Sequence, residues 1–142
     1  MQNTLPTYGP PQLNENELRS RLLEWYPGHN GSRILLANLV EEYVRLWRLV
    51  LSYPHRRVVA PGPILAVQRA HSYNREGYFS DCMAYFNRFM PPKVFAWGGV
   101  HDYTGVHDTV SVYKDLFEKN PPEAWADMTD IYGIKRSHLT IV

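Results

Sequence analysis

Apolar side chains return at helical spacing along five stretches of the chain, and proline or glycine closes most of them. Asn14 with Glu17 three residues on marks a helix start. Leu18, Leu22 and Trp25 then share one face until Pro27-Gly28. Asn30-Gly31-Ser32 turns the chain into a second helix over 32–52. Its apolar stripe is Leu36, Leu39, Val40, Tyr43, Trp47, Val50 and Leu51. Glu41, Glu42, Arg45 and Arg48 fall mostly between those positions and read as a solvated charged face, with Arg45 four residues after Glu41 in the favoured order. Tyr53-Pro54 closes this element.

Pro61-Gly62-Pro63 opens a third helix near Ile64 that runs to about His71, since proline is tolerated in a first turn. Asn74 caps a fourth, with Tyr78, Cys82, Tyr85, Phe86 and Phe89 along a broad face and Pro91-Pro92 as the stop. The run Val94-Phe95-Ala96-Trp97-Gly98-Gly99 is an apolar loop or a short strand. Val106, Val110, Tyr113 and Phe117 predict a helix from about 105 to 118, and Pro121-Pro122-Glu123-Ala124-Trp125 a last short helical turn. The expected architecture is mainly α: a compact single-domain bundle of about five helices over 14–128. An extended Pro-rich arm over 1–13 precedes it, and a partly apolar tail over 129–142 follows.

Composition narrows the function classes. Ten Tyr, five Phe and four Trp among 142 residues suit either a crowded small core or an aromatic surface kept for a partner. Fifteen Lys and Arg against fourteen Asp and Glu lack the basic excess of a nucleic-acid binder. Cys82 is the only cysteine, so no internal disulfide forms, which suits a reducing compartment. No apolar run is long enough to cross a bilayer, and Met1 to Gln12 resembles neither a secretory signal nor a transit peptide. An intracellular location is expected; a mitochondrial complex is one host the architecture suits, without a presequence to mark it.

Three stretches in order resemble the glycine-rich domain-containing-protein-like family. Glu42-Tyr43 on a helix reaching Pro54, followed by Ala60-Pro61-Gly62-Pro63, looks like the family's E-Y-x-x-F-L helix and its P-S-x-x-V-D entry. His71, Tyr78 and Cys82 are similar to the family's W-H-x-H-x-x-x-T-x-x-Y-x-x-x-C segment. Thr109-Val110, Tyr113, Phe117, Pro121-Pro122 and Trp125 match the family's T-L-x-x-Y-x-x-x-F-G-x-x-P-P-x-x-W ending best. The resemblance covers roughly residues 32–128. It departs at Leu65, Gln68 and Arg69, where the family has an acidic residue and its W-H pair; at Arg75 for the threonine; and at Glu118 for the glycine. The resemblance thus implies a retained apolar scaffold whose polar segment is largely lost.

Candidate chemistry is sparse. His101-Asp102 and His107-Asp108 carry donors that divalent metals accept, but their spacing fits neither a helical pair nor a zinc pattern. Asp108 is expected near a helix start, where backbone N–H groups favour a carboxylate, and His101 and Asp102 in a loop. His71 and Cys82 would meet as base and nucleophile only across a break near Asn74. An aromatic neighbourhood makes Cys82 an inert buried thiol instead, and His71 reads as a satisfied structural histidine. Gly98-Gly99 reads as a flexible loop, and no phosphate-binding or nucleophile-elbow motif is present.

The expectation is a non-catalytic accessory or scaffold subunit that acts through stable contacts with other proteins and carries no cofactor. Tyr43, Trp47, Tyr78, Tyr113, Phe117 and Trp125 are its structural and interaction residues. The alternatives are a metal-dependent enzyme or metal-binding domain built on His71, His101, His107 and Asp108, and a transient adaptor.

Overall fold

The longest apolar stripe becomes the centre of the molecule. In the computed structural model, which describes residues 13–25 and 36–134, helix α2 (Leu36–Ser52) buries Tyr43, Leu46, Trp47, Leu49 and Val50. It lies against α3 (Gly62–Tyr73) and α5 (Tyr103–Phe117), and α1 (Glu15–Trp25) packs on α3. Helix α4 (Arg75–Phe86) packs on α3, and a short α6 (Ala126–Thr129) follows a 3-10 turn at Glu123–Trp125. The fold is mainly α, around one hydrophobic core.

Local chemistry sets most of the boundaries. Asn14 and Asn74 each accept, at 3.1 Å, from the backbone N–H three residues on, capping α1 and α4. Asn74 also ends α3, so one residue makes the corner between the two helices. Helix α4 stops earlier than the Pro91-Pro92 signal predicts. Asn87 adopts the left-handed conformation (φ 61°), which asparagine tolerates, and Phe89 therefore leaves the helical face. Glu118 ends α5 in the same way, at φ 55°.

The apolar run after Pro92 contains a short strand, β2 (Ala96–Trp97). It pairs in parallel with β1 (Val59–Ala60), in the register Val59 to Ala96 and Ala60 to Trp97. Helices α3 and α4 form the crossover. Thr109 of α5 holds β1 from the other side: its hydroxyl accepts from Val59 N at 3.0 Å and donates to Gly105 O at 2.8 Å. The two-residue strand β1 had no alternating pattern to announce it.

The expected tail boundary at 129 moves outward. Met128 and Thr129 are buried, a 3-10 turn covers Asp130–Tyr132, and Ile134 N returns to Thr129 O at 2.9 Å. Residues 1–12 of the expected arm, the Asn30-Gly31-Ser32 turn and residues 135–142 lie outside the described residues.

Candidate functional site

Two buried polar clusters and one exposed aromatic strip hold the residues with chemical potential. The first cluster overturns the reading of Glu42 as solvated. Glu42 is only 3% exposed, because it shares the inward row Leu39, Glu42, Leu46 and Leu49, spaced i, i+3, i+7 and i+10. Its Oε1 accepts the Tyr113 hydroxyl at 2.6 Å and the Trp125 indole N–H at 2.9 Å. Arg45 donates to its Oε2 and, at 3.1 Å, to Glu41. Burial, then the Glu42 charge, holds the Tyr113 hydroxyl well above the usual phenol range, so it remains a donor. The cluster ties α2 to α5 and to the turn carrying Trp125. Enclosed as it is, the carboxylate is a structural anchor.

The second cluster forms at the Asn74 corner. There the break between helices returns Asp81 of α4 to His71 of α3. His71 Nε2 lies 2.8 Å from Asp81 Oδ2, and Nδ1 lies 2.7 Å from the Tyr43 hydroxyl. With Nε2–H donating to the carboxylate, Nδ1 accepts the Tyr43 proton, and a neutral ring satisfies both contacts. Burial lowers the imidazole pKa, and the Asp81 contact offsets part of that effect. Burial, reinforced by Tyr78, pushes Tyr43 well above its ordinary value. Both ring nitrogens of His71 thus have partners, and Asp81 is one that sequence reasoning missed.

Cys82 lies on the same helix as Asp81. Its thiol is buried and points toward Met90 O at 4.0 Å, and burial raises its pKa. A raised thiol pKa suppresses the nucleophilic thiolate. Around both clusters the aromatic core closes: the Trp47 ring touches those of Tyr43, His71, Tyr78, Tyr85, Phe86 and Phe95. Of the expected structural and interaction residues, Tyr43, Trp47, Tyr78, Tyr113 and Trp125 are buried and Phe117 is half-buried against Tyr113. All six serve the interior.

The remaining metal candidates separate. His101, His107 and Asp108 are exposed near the start of α5, whereas His71 is buried among α2, α3 and α4. The His107 ring packs on Tyr103 with centroids 4.1 Å apart. Among the described residues no three His, Cys, Asp or Glu side chains converge into a metal-sized group. The capping acid of α5 is Asp102, six residues before Asp108: it accepts from Gly105 N at 3.1 Å and pairs with Arg57. The helix starts at Tyr103, so Asp108 lies within its second turn.

The exposed strip begins at the two glycines, which are packed and bonded where a flexible loop was expected. Gly98 N donates to Ala60 O at 3.0 Å, and a Cβ on Gly98 would collide with Met128 and Val59. Gly99 lies under the Trp97 ring, in the space a Cβ would need. The Tyr132 hydroxyl donates to Gly99 O at 2.6 Å and accepts from Asp102 N at 3.0 Å, binding β2 to the head of α5. Tyr103 stacks edge-on against Tyr132 at 5.3 Å. On this frame Trp97 is 59% exposed, Val100 53% and Tyr103 57%, with Ile131 also exposed.

Comparison with protein-family models, curated proteins and solved structures finds no match to this chain. Among the described residues no helix is long and apolar enough to cross a membrane.

Proposed function

We propose that this chain is a non-catalytic accessory or scaffold subunit that binds a partner protein through the strip formed by Trp97, Val100 and Tyr103. The observation that carries the reading is the exposure of two large aromatic rings on a frame fixed by Gly98, Gly99, Asp102 and Tyr132. Tryptophan and tyrosine dominate the energetics of protein interfaces, and a backbone frame held in place before binding loses less entropy on association. Arg57, paired with Asp102 beside the strip, adds a cation of the kind that rims such contacts.

We further propose kinship with the glycine-rich domain-containing-protein-like family. Glu42, Tyr113 and Trp125, which carry two of the three resembling segments, meet at one buried carboxylate. Glu118 takes a left-handed conformation where that family has glycine. Both observations support a common scaffold. Intracellular residence in a multiprotein complex, mitochondrial or otherwise, belongs to the same proposal.

The test is affinity purification of the full chain from its native cells under gentle conditions, read by mass spectrometry with quantified stoichiometry. A partner recovered at fixed ratio from the native chain, and lost from a Trp97→Ser/Tyr103→Ser variant that folds normally, supports the reading. Recovery of no stoichiometric partner, or one indifferent to both substitutions, overturns it.

A further inference from the structure

Charge is spread unevenly along the chain. Residues 43–101 carry eight Lys and Arg but only two acidic residues, Glu76 and Asp81, which leaves seven against twelve for the rest. Asp81 turns inward to His71, and Glu76 lies in the first turn of α4. The segments that hold the two strands, 43–75 and 82–101, contain no Asp or Glu.

Packing gathers three of the cations beside Trp97. The parallel pairing of β1 with β2 brings the entries of both strands to one end of the sheet. Arg56 stands three residues before Val59, and Lys93 three residues before its partner Ala96, each within about 11 Å of the strand it precedes. The Trp47 ring stacks on Phe95 with centroids 6.1 Å apart, which brings its neighbour Arg48 to the segment between Lys93 and Trp97. All three cations are on exposed residues, and among the described residues none of them has an ion-pair partner. Arg57, by contrast, is committed to Asp102. Asp108, Asp127 and Asp130 belong to α5 and to the turns leading to Tyr132, whose ring packs on Tyr103 at the far end of the strip.

We propose that the partner meets the strip with an acidic protein segment, whose carboxylates face Arg48, Arg56 and Lys93; this rests on the reading of Trp97, Val100 and Tyr103 as the contact. Three like charges gathered without counter-charges repel one another, and carboxylates from a partner remove that repulsion while steering the encounter. The acids at the Tyr103 end repel the same carboxylates, so the charge pattern also fixes which way round the partner lies. A long phosphate polymer needs a continuous basic stripe. Here the basic region gives way to the acidic excess of the remaining chain, so a short acidic segment with apolar side chains fits better.

The test is an NMR titration of the full chain with a soluble peptide of Glu, Leu and Ser, and with its counterpart carrying Lys for Glu. The acidic peptide shifts the Trp97 indole N–H and the Arg56 and Lys93 amides, and it weakens about tenfold between about 0.05 and 0.5 M salt. The Lys peptide binds at least about tenfold more weakly. Arg56→Glu/Lys93→Glu reverses that preference, with a circular dichroism spectrum identical to the native one because both positions are exposed. Equal binding of the two peptides on the strip, or indifference to the charge reversal, overturns the acidic partner and leaves the strip reading standing. Acidic binding that follows the cations but ignores Trp97→Ser/Tyr103→Ser overturns the strip reading, and the proposal with it. No shift at about millimolar acidic peptide overturns the proposal. So does a thymidine oligonucleotide or a phosphatidylserine vesicle that displaces the acidic peptide from the same residues.

Discussion

The Tyr113 hydroxyl donates to Glu42 across 2.6 Å although 71 residues separate the two in the chain. Trp125, 83 residues away, reaches the same carboxylate oxygen. A buried carboxylate is tolerated only when donors replace its lost hydration. Here a phenol, an indole and a guanidinium supply them from three separate parts of the chain. The arrangement makes Glu42 the polar pin of an otherwise aromatic core.

Removing the pin has a large cost. Glu42→Ala leaves Tyr113 and Trp125 without their acceptor and Arg45 with Glu41 alone, and is expected to lower the unfolding free energy by roughly 3–5 kcal/mol. Tyr113→Phe loses one charge-assisted bond, about 1.5–3 kcal/mol. In urea denaturation the double variant should cost less than the sum of the two, with a coupling of roughly 0.5–3 kcal/mol. Simple additivity would contradict the shared contact.

His71 predicts an acid-side loss of stability. Its folded pKa is lowered, chiefly by burial, while the unfolded imidazole titrates near about 6.5. Between those two values the unfolded chain binds a proton that the folded chain does not. The His71 contribution is therefore fully present above about pH 6.5 and declines as pH falls through that value to the folded pKa. Asp81→Asn removes a charge that raises the folded value, so its acid-side loss should be deeper. His71→Gln should remove this component altogether. Urea midpoints measured between about pH 5 and 8 check both.

Glu118→Gly should stabilise the protein. The native residue sits at φ 55°, a conformation that costs L side chains about 1–2 kcal/mol, while added glycine freedom in the unfolded chain returns part of that. The expected gain is about 0.5–1 kcal/mol, read as a raised melting temperature. An unchanged or lowered value would show that the left-handed turn is not strained.

The two adjacent glycines should respond differently to the same change. Gly98→Ala drives a methyl into Met128 and Val59, both fully buried, and should destabilise by about 1–3 kcal/mol. Gly99→Ala meets the exposed Trp97 ring first, which can swing aside, so stability should change by less than about 1 kcal/mol. The Trp97 environment moves instead. Thermal melts and tryptophan fluorescence together separate the two effects.

Helical spacing located each of the longer helices among the described residues, because burial on one side of a helix leaves a 3.6-residue trace whatever that helix packs against. The stripe from Leu36 to Leu51 and the Val106-to-Phe117 series both became core faces. Endings were less legible. Asn87 and Glu118 end their helices by turning left-handed, and nothing in their local pattern demands it. Glu42 had a readable signal in its register with Leu39, Leu46 and Leu49, but its charge argued for solvent until donors 71 and 83 residues away were in place.

By itself, then, the order of apolar and polar residues determined a mainly helical domain with proline- and asparagine-marked corners, a property of neighbours along the chain. The pairing of His71 with Asp81 and the reach of Tyr113 and Trp125 to Glu42 depended on which surfaces met. Contacts over such separations leave no periodic trace, because only the packing of whole elements brings their partners within bonding distance.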